Sequence, residues 1–217
     1  MNKKLGPRYI VIEGVIGVGK TTLTRMLAEE VDAKPVFEKP DTNPFLEDFY
    51  KDPERFAFQT QLFFLLSRYR QQQELFQSEL FYDYLISDYL FAKDRIFATL
   101  NLGDRELLLY DKIAVLLEEG ILKPDLVVYL QSNPERLMKN IRKRGRSYEK
   151  ELTEEYIRSL NEVYNSFFFR YTDTPLLIVN ATEIDFVQKK EHFLDLARQI
   201  LQPRSGTEFY HPANVGA

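Results

Sequence analysis

A glycine-rich segment near the amino terminus constrains this chain more than any other feature. The segment "VIEGVIGVGKTTLTRML" spans residues 11–27 and contains the pattern G-x-x-x-x-G-K-[ST]. The pattern is matched by Gly14, Gly17, Gly19, Lys20 and Thr21. A short apolar run precedes it and an amphipathic run follows it, which is the strand-to-helix context of a P-loop. The segment therefore predicts a site for a nucleoside triphosphate.

The physical reason lies in the backbone of such a loop. Its glycines let successive N–H groups point at phosphate oxygens, next to the positive end of the following helix. We expect Val18 and Thr22 to belong to this ATP-binding backbone, together with the matched residues. Lys20 is expected to reach the outer phosphates, and the Thr21 hydroxyl is placed to bind Mg²⁺.

The remainder of the chain alternates short apolar runs with longer helical patterns, which predicts an α/β fold with a five-stranded parallel sheet and helices on both faces. The predicted strands are 8–13, 34–38, 84–88, 126–130 and 175–180. The predicted helices are 20–30, 54–79, 90–119 with a break near Gly103, 133–144, 153–170 and 186–200. We expect a single kinase domain over residues 1–200. The polar tail 201–217 is expected to be poorly ordered.

Composition narrows the classes of function. The 217 residues carry a net charge of −4, which gives no general attraction to nucleic acid or to an anionic membrane. The absence of cysteine excludes disulfides, thiolate metal sites and a cysteine nucleophile. No apolar run approaches the roughly 18 residues that span a bilayer, and no cleavable leader is evident, so a cytoplasmic location is expected.

The fate of the terminal phosphate separates switches, motors and kinases. A GTPase switch requires an N-K-x-D motif, which this sequence lacks. A motor ATPase is expected to end an apolar strand in Asp-Glu, whereas "YLISD" ends in Asp88 and is followed by Tyr89. A small-molecule kinase requires a carboxylate near the acceptor and cations over the phosphates. Both are present in this chain.

The cations lie in "NIRKRGRSYEKE". Arg142, Arg144 and Arg146 surround Gly145, which disfavours a continuous helix, so residues 142–150 are a candidate lid that closes guanidinium groups over phosphate. A solvated basic surface or a nucleic-acid patch is the alternative for this segment.

The candidate base is Glu38, which ends the second predicted strand. Because the carboxyl ends of parallel strands face the ligand crevice, Glu38 is expected on the same rim as the P-loop, unless it is an ordinary surface glutamate. On the long helix that follows, Gln61, Phe64 and Arg68 share one stripe, since seven residues bring Arg68 back almost over Gln61. Such a stripe suits a flat heterocycle, although many stripes of this kind are merely solvated.

Taken in order, five motifs make the chain similar to a known family: "EGVIGVGKTT", "FEKPDTNPFLEDFYKDP", "FAFQTQLFFLLSRYR", "SDYLFAKDRIFA" and "RKRGRSYE". Between about Tyr9 and about Tyr171 the sequence resembles the deoxynucleoside kinases, in particular the bacterial deoxyadenosine/deoxyguanosine kinase branch. The resemblance implies phosphoryl transfer from ATP to the 5′-hydroxyl of a deoxynucleoside, with Mg²⁺ as cofactor. It also implies a homodimer and, weakly, a purine substrate.

The resemblance assigns roles to individual positions. The general base falls on Glu38, and the glutamine that pairs with the nucleobase falls on Gln61, with Gln59 a poorer match. The other acceptor positions are Arg68 at the base and Tyr50 and Glu149 at the deoxyribose 3′-hydroxyl. Arg144 and Arg146 match lid arginines, and Arg142 matches less securely.

One departure concerns the third strand. Many relatives have Asp/Glu-Arg-Ser there, whereas this sequence has "SDYLF". We assign Asp88 to the substrate and magnesium site, and the arginine is missing in either alignment frame. Lys93 or Arg95, one to two helical turns onward, is a candidate replacement.

Two other functions remain open from sequence. A nucleoside monophosphate kinase of the same fold needs a cation site for the acceptor's phosphate, which Arg68 and Arg70 could supply. A regulatory P-loop protein would bind ATP without turnover, and the missing arginine favours this reading. The P-loop motifs together with the family resemblance imply a Mg²⁺- and ATP-dependent deoxynucleoside kinase, which we expect to bind neither nucleic acid nor membranes.

Overall fold

A computed structural model of the chain describes residues 6–78, 82–182 and 184–210, without side chains for 76–78. Its strands are β1 (Tyr9–Gly14), β2 (Lys34–Val36), β3 (Leu85–Ser87), β4 (Leu126–Gln131), β5 (Leu176–Asn180) and β6 (Thr207–Tyr210). Its α-helices are α1 (Lys20–Val31), α2 (Leu46–Lys51), α3 (Pro53–Ser78), α4 (Lys93–Asn101), α5 (Asp104–Glu118), α6 (Pro134–Arg144), α7 (Glu154–Phe169) and α8 (Lys190–Ile200). Short 3₁₀ turns cover Pro40–Thr42 and Ser147–Glu149.

The strands form one parallel sheet in the order β2-β3-β1-β4-β5-β6. Strand β1 is central, with Val11 opposite Ser87 of β3 and Val127 of β4. All six residues of β1 are buried, as expected for a parallel strand that helices cover on its faces. This order brings the ends of β1 and β3 side by side, where an open α/β sheet binds its ligands.

Two apolar clusters hold these layers together. The larger one joins the sheet to its neighbouring helices and includes Ile10, Leu27 and Leu160, all fully buried. The second joins α3 to α4 and α5 through Leu65, Ala98 and Tyr110. The sheet layer and the α3–α5 layer are therefore each held together by an apolar cluster of their own.

The predicted α/β fold is confirmed, but the sheet has six strands instead of five. The sixth, β6, lies in the segment expected to be poorly ordered, so that expectation is wrong for residues 207–210. The strand pairs in parallel with β5, and its Tyr210 is buried with its hydroxyl on the Asp195 carboxylate. A four-residue edge strand with three exposed side chains carries little apolar signal, which explains the error. Residues 211–217 lie outside the described part of the chain.

Most helix bounds agree with the prediction to within one residue. The break near Gly103 is confirmed, because α4 ends at Asn101 and α5 begins at Asp104. Helix α2 was not predicted, since six residues are too few for a clear period. The final helix begins at Lys190, four residues later than predicted, and position 79 of the long helix is outside the described residues. No helix among the described residues is long and apolar enough to cross a bilayer.

Candidate active site

The P-loop joins the end of β1 to the start of α1, as its sequence predicts. Gly17 and Gly19 have φ angles of 87° and 108°, a region that disfavours side chains. A Cβ atom on Gly17 would lie 2.7 Å from the carbonyl oxygen of Leu137, so the loop also needs glycine for space. Glycine therefore allows the loop to curl tightly against α6.

Lys20 lies at the first position of α1, with its ammonium turned back onto the loop. Its Nζ donates to the carbonyl oxygens of Gly14 at 2.6 Å and Val15 at 3.3 Å. Burial and the nearby Lys93 charge lower the pKa of Lys20 to about 8, against the opposing effect of nearby carboxylates. A bound phosphate would supply the strong negative partner that this ammonium lacks among neutral carbonyls.

Asp88 connects the P-loop helix to the segment after β2. It follows β3, and its Oδ2 accepts a hydrogen bond from Thr21 Oγ1 at 2.5 Å. Its Oδ1 accepts from the backbone N–H of Glu38 at 2.7 Å. Burial raises the pKa of Asp88, while these two hydrogen bonds act to lower it. The Thr21 hydroxyl and the Asp88 carboxylate are oxygen ligands beside a phosphate-binding loop. They fit Mg²⁺, which is usually bound by one or two carboxylates together with phosphate oxygens.

Glu38 lies two residues past the end of β2, with its carboxylate between two cations. Arg68 Nη2 donates to its Oε1, and Lys93 Nζ donates to its Oε2 at 2.7 Å. Burial acts to raise the pKa of Glu38, but the Arg68 and Lys93 charges outweigh it and hold that pKa well below its usual range. Glu38 is therefore ionised, as a general base must be, and both of its oxygens are engaged.

Arg68 is buried and shared between two carboxylates. Its Nη1 pairs with Asp94 Oδ1, while its Nη2 pairs with Glu38. Its guanidinium carbon lies 4.9 Å from the ring centroid of Phe64, in the range of a cation–π contact. The predicted stripe of Gln61, Phe64 and Arg68 is thus confirmed as one face of α3 that lines a cavity.

Two of the three predicted lid arginines, Arg142 and Arg144, lie on α6, which is hydrogen-bonded to the P-loop. Helix α6 ends at Arg144 because Gly145 adopts a φ of 67°, which confirms the predicted interruption. Asn140 Nδ2 donates to the carbonyl oxygen of Gly17 at 2.9 Å. Arg136 donates to the carbonyl oxygens of Thr182 at 2.6 Å and Ile184 at 3.0 Å. These hydrogen bonds hold α6, and with it the backbone of Arg144, against the P-loop and the segment after β5.

Beyond Gly145 the chain folds over the cavity. Arg144 pairs with Glu149, which is only 6% exposed. Arg146 donates to the Tyr148 hydroxyl at 2.7 Å, and the Tyr148 ring stacks against Tyr50 of α2 with centroids 6.4 Å apart. The segment thus brings two cations and a buried carboxylate to one wall of the cavity.

One cavity gathers ten of the predicted site residues, whereas Gly14, Gly17, Val18, Gly19 and Thr22 of the predicted ATP site are not part of its lining. It contains about 890 Å³ of empty space, part of which is open to solvent. The predicted residues that line it are Lys20, Thr21, Glu38, Tyr50, Gln61, Arg68, Asp88, Arg144, Arg146 and Glu149. Arg142 is exposed on α6 and does not line the cavity.

Two alternatives left open by the sequence are resolved by burial. Gln61 is 2% exposed and lines the cavity, whereas Gln59 is exposed. Lys93 is 3% exposed and pairs with Glu38, whereas Arg95 faces outward and pairs with Asp111. The inward-facing cation on α4 is therefore Lys93.

Sequence reasoning missed two buried carboxylates. Asp94 pairs with Arg68, and its neighbours in "AKDRIFA" gave no sign of burial. Glu13 is fully buried at the end of β1, where it accepts hydrogen bonds from the backbone N–H groups of Gly14 and Leu90. An acid inside an otherwise apolar strand, as in "YIVIEG", is the signal that could have identified Glu13.

Comparison with known proteins matches this geometry to a family. The profile of the deoxynucleoside kinase family matches residues 10–203. The chain is 35% identical to deoxyadenosine kinase of Dictyostelium discoideum over 189 residues, covering 83% of this chain and 75% of that protein. It is 32% identical to deoxyguanosine kinase of Bacillus subtilis over 197 residues, covering 88% of this chain and 95% of that protein.

Solved structures show the same fold. Deoxyadenosine kinase from M. mycoides, with products dCMP and a flexible dCDP bound, superposes with a TM-score of 0.78 at 27% identity. That superposition covers 88% of this chain and 98% of the other. Because the family profile matches residues 10–203 and a named relative is 35% identical over most of its length, the chain belongs to the deoxynucleoside kinase family.

Proposed function

We propose that the protein is a cytoplasmic, Mg²⁺-dependent kinase that phosphorylates purine deoxynucleosides at the 5′-hydroxyl for nucleotide salvage. The observation that carries this proposal is a single cavity that holds the P-loop Lys20, the ionised Glu38 and the α3 face with Gln61 and Arg68. Direct transfer between two bound substrates requires that the phosphate-binding groups and the heterocycle-binding groups line the same cavity. In this proposal residues 1–200 act as one kinase domain.

In the proposed reaction Glu38 accepts the proton of the attacking hydroxyl. The bond from the 5′-oxygen to the γ-phosphorus forms as the bond from that phosphorus to the β,γ-bridging oxygen breaks, and ADP leaves. Lys20, Arg144 and Arg146 stabilise the charge on the transferring group. Mg²⁺, held by Thr21 and Asp88, would neutralise phosphate charge when bound.

The acceptor is recognised through hydrogen bonds in a buried setting. Gln61 offers a donor and an acceptor to the edge of the nucleobase, beside the Arg68 guanidinium. Tyr50 and Glu149 are proposed to bind the 3′-hydroxyl. Because Glu149 also pairs with Arg144, binding of the sugar would help to position a lid arginine.

The names of relatives support a purine. Relatives at 35% and 32% identity are named deoxyadenosine kinase and deoxyguanosine kinase. One relative at 27% identity is named deoxyadenosine/deoxycytidine kinase, so cytosine is the pyrimidine to include in any comparison.

A turnover panel tests the proposed function. With ATP and Mg²⁺, we expect deoxyadenosine or deoxyguanosine to give the highest kcat/KM among the four common deoxynucleosides. The corresponding monophosphates should give little turnover, because Arg68 is already neutralised by two carboxylates and Arg70 is exposed. Formation of ADP and nucleotide is measured by chromatography. Preferred turnover of a monophosphate would identify a nucleoside monophosphate kinase instead.

Gln61→Ala is expected to raise the KM for the nucleoside about 10- to 100-fold, because the base edge loses its hydrogen-bonding partner in a desolvated pocket. The KM for ATP should stay close to that of the wild type. Gln59→Ala on the exposed face of α3 is the matched control and should leave both constants unchanged. Equal effects of the two substitutions would remove Gln61 from base recognition.

We also propose a homodimer that buries the outer face of α5. This face carries the exposed side chains of Leu108, Leu109, Val115 and Leu116, and the seven-residue spacing places them in one stripe. Exposed apolar side chains that cluster in this way, here with Lys112 among them, are typical of an interaction surface.

Leu116→Glu should convert a dimer to a monomer, because it replaces the most exposed of the four apolar side chains by a charge. Sedimentation velocity measures the change. Phe169→Glu, which replaces an 87% exposed side chain on α7, is the control and should leave the dimer intact. A wild-type monomer at micromolar concentration, or a dimer that survives Leu116→Glu, would contradict the assignment of this face.

A further inference from the structure

Lys93 occupies a position that is unusual for a lysine. It is the first residue of α4, it is 3% exposed, and its Nζ lies 2.7 Å from Glu38 Oε2 and 5.8 Å from the ring centroid of Phe97. A cation at a helix N-terminus opposes the helix dipole, and burial of an ammonium is costly unless it is paired. The salt bridge to Glu38 offsets the burial, and a buried charge pair in a cavity is typical of a functional site.

The residue that follows Asp88 cannot supply a cation to this cavity. Tyr89 is fully buried, away from the lining of the cavity, with its hydroxyl 3.5 Å from Gln72 Nε2. In this chain, Lys93 therefore supplies the positive charge to the cavity from the region that follows β3. It reaches the cavity from the first position of α4.

The contacts of Glu38 show which cation can be displaced. Arg68 holds Oε1 and is itself fixed by Asp94 and by the ring of Phe64. Lys93 holds Oε2, and among the described residues Glu38 is the carboxylate with which it forms a salt bridge. A hydroxyl that hydrogen-bonds to Glu38 is therefore expected to displace the lysine from Oε2 more readily than the arginine from Oε1.

We propose that Lys93 is a catalytic cation that moves from Glu38 to the transferring phosphoryl group when the acceptor hydroxyl binds. This inference rests on the proposed function. The hydroxyl proton passes to Glu38 while the new oxygen–phosphorus bond forms and the bond to ADP breaks. Lys93 keeps its three protons throughout and acts by charge alone, next to Lys20, which lines the same cavity.

Substitutions of Lys93 separate this role from a purely structural one. Lys93→Met should lower kcat about 10²- to 10³-fold, the usual cost of losing one donor at a developing charge, with little change in either KM. Lys93→Gln keeps a hydrogen-bond donor for Glu38 but no charge, so its kcat should fall by a similar factor. The kcat of Lys93→Arg, which keeps the charge, should fall less. Arg95→Met, on the exposed face of the same helix, is the matched control and should match the wild type.

A double substitution tests contact with the phosphoryl group. If Lys93 acts on phosphate, Lys93→Met should lower single-turnover rates further in a Glu38→Gln background, by at least about tenfold. If Lys93 only positions Glu38, Lys93→Met should not lower the single-turnover rate of the Glu38→Gln variant any further, and this result would overturn the inference. Rescue by Lys93→Gln to near the wild-type kcat would overturn it as well.

The two proposals fail in different ways. Turnover by the wild type together with unchanged turnover by Lys93→Met would refute the role of Lys93 and leave the proposed kinase function standing. A wild type that phosphorylates none of the four deoxynucleosides would refute both. Thermal melting of each variant checks that it is folded, and Lys93→Gln and Lys93→Arg keep the test decisive if the methionine variant does not fold.

Discussion

Glu38→Gln is expected to lower kcat about 10²- to 10⁴-fold, the range over which a positioned general base contributes. The amide occupies nearly the same volume but cannot accept the proton of the attacking hydroxyl. Affinity for ATP should change little, because the triphosphate is bound by the P-loop and Lys20. Steady-state kinetics with saturating ATP and a titrated deoxynucleoside measure both effects.

The control for this substitution is Glu47→Gln on α2. Glu47 is an exposed glutamate that pairs with Lys51 one helical turn away, so the same chemical change is made outside the cavity. It should leave kcat unchanged. If Glu38→Gln retained near-normal turnover, Glu38 would not be the general base, and another group in the cavity would have to accept the proton of the hydroxyl.

Asp94→Asn is expected to lower the free energy of unfolding by about 3 kcal/mol, near the lower end of the cost of breaking a buried ion pair. Asp94 is 2% exposed and pairs with Arg68, which is 4% exposed. The substitution leaves the guanidinium buried with one carboxylate instead of two. Glu38 still offsets part of the charge, which keeps the expected loss from being larger. Urea denaturation followed by circular dichroism gives the value.

A more exposed ion pair, which joins α4 to α5, provides the comparison. Arg95 and Asp111 are 3.3 Å apart, with side chains 65% and 32% exposed. Asp111→Asn should cost about 1 kcal/mol or less, because solvent screens such pairs. Similar losses for Asp94→Asn and Asp111→Asn would show that the Arg68–Asp94 contact adds nothing beyond a surface interaction.

The parts of the site that the sequence predicts well are those in which a local pattern has a local cause. The P-loop is one, since the glycines, Lys20 and Thr21 lie in eight consecutive positions whose geometry depends on few other residues. The end of α6 at Gly145 is another, because a left-handed residue stops a helix wherever it occurs. Glu38 was placed correctly on the rim because parallel strands share their carboxyl edge.

The missed features depend on residues that are distant in sequence. Asp94 lies 26 positions from Arg68, and nothing in either segment indicates that they pair. Lys93 and Arg95 are equally basic in sequence, and only the packing of α4 turns one inward and the other outward. Strand β6 forms because β5 offers it an edge, which is a property of the finished sheet.

The hydrogen bonds from Asn140 to Gly17 and from Arg136 to Thr182 and Ile184 have a consequence for how substrates enter. They fasten α6 to the phosphate loop and to the segment after β5, so swinging the whole helix outward would break several bonds at once. We therefore expect any widening of the entrance to involve the residues beyond Gly145 more than α6 itself. Movement of so short a segment should be fast compared with the motion of a whole domain.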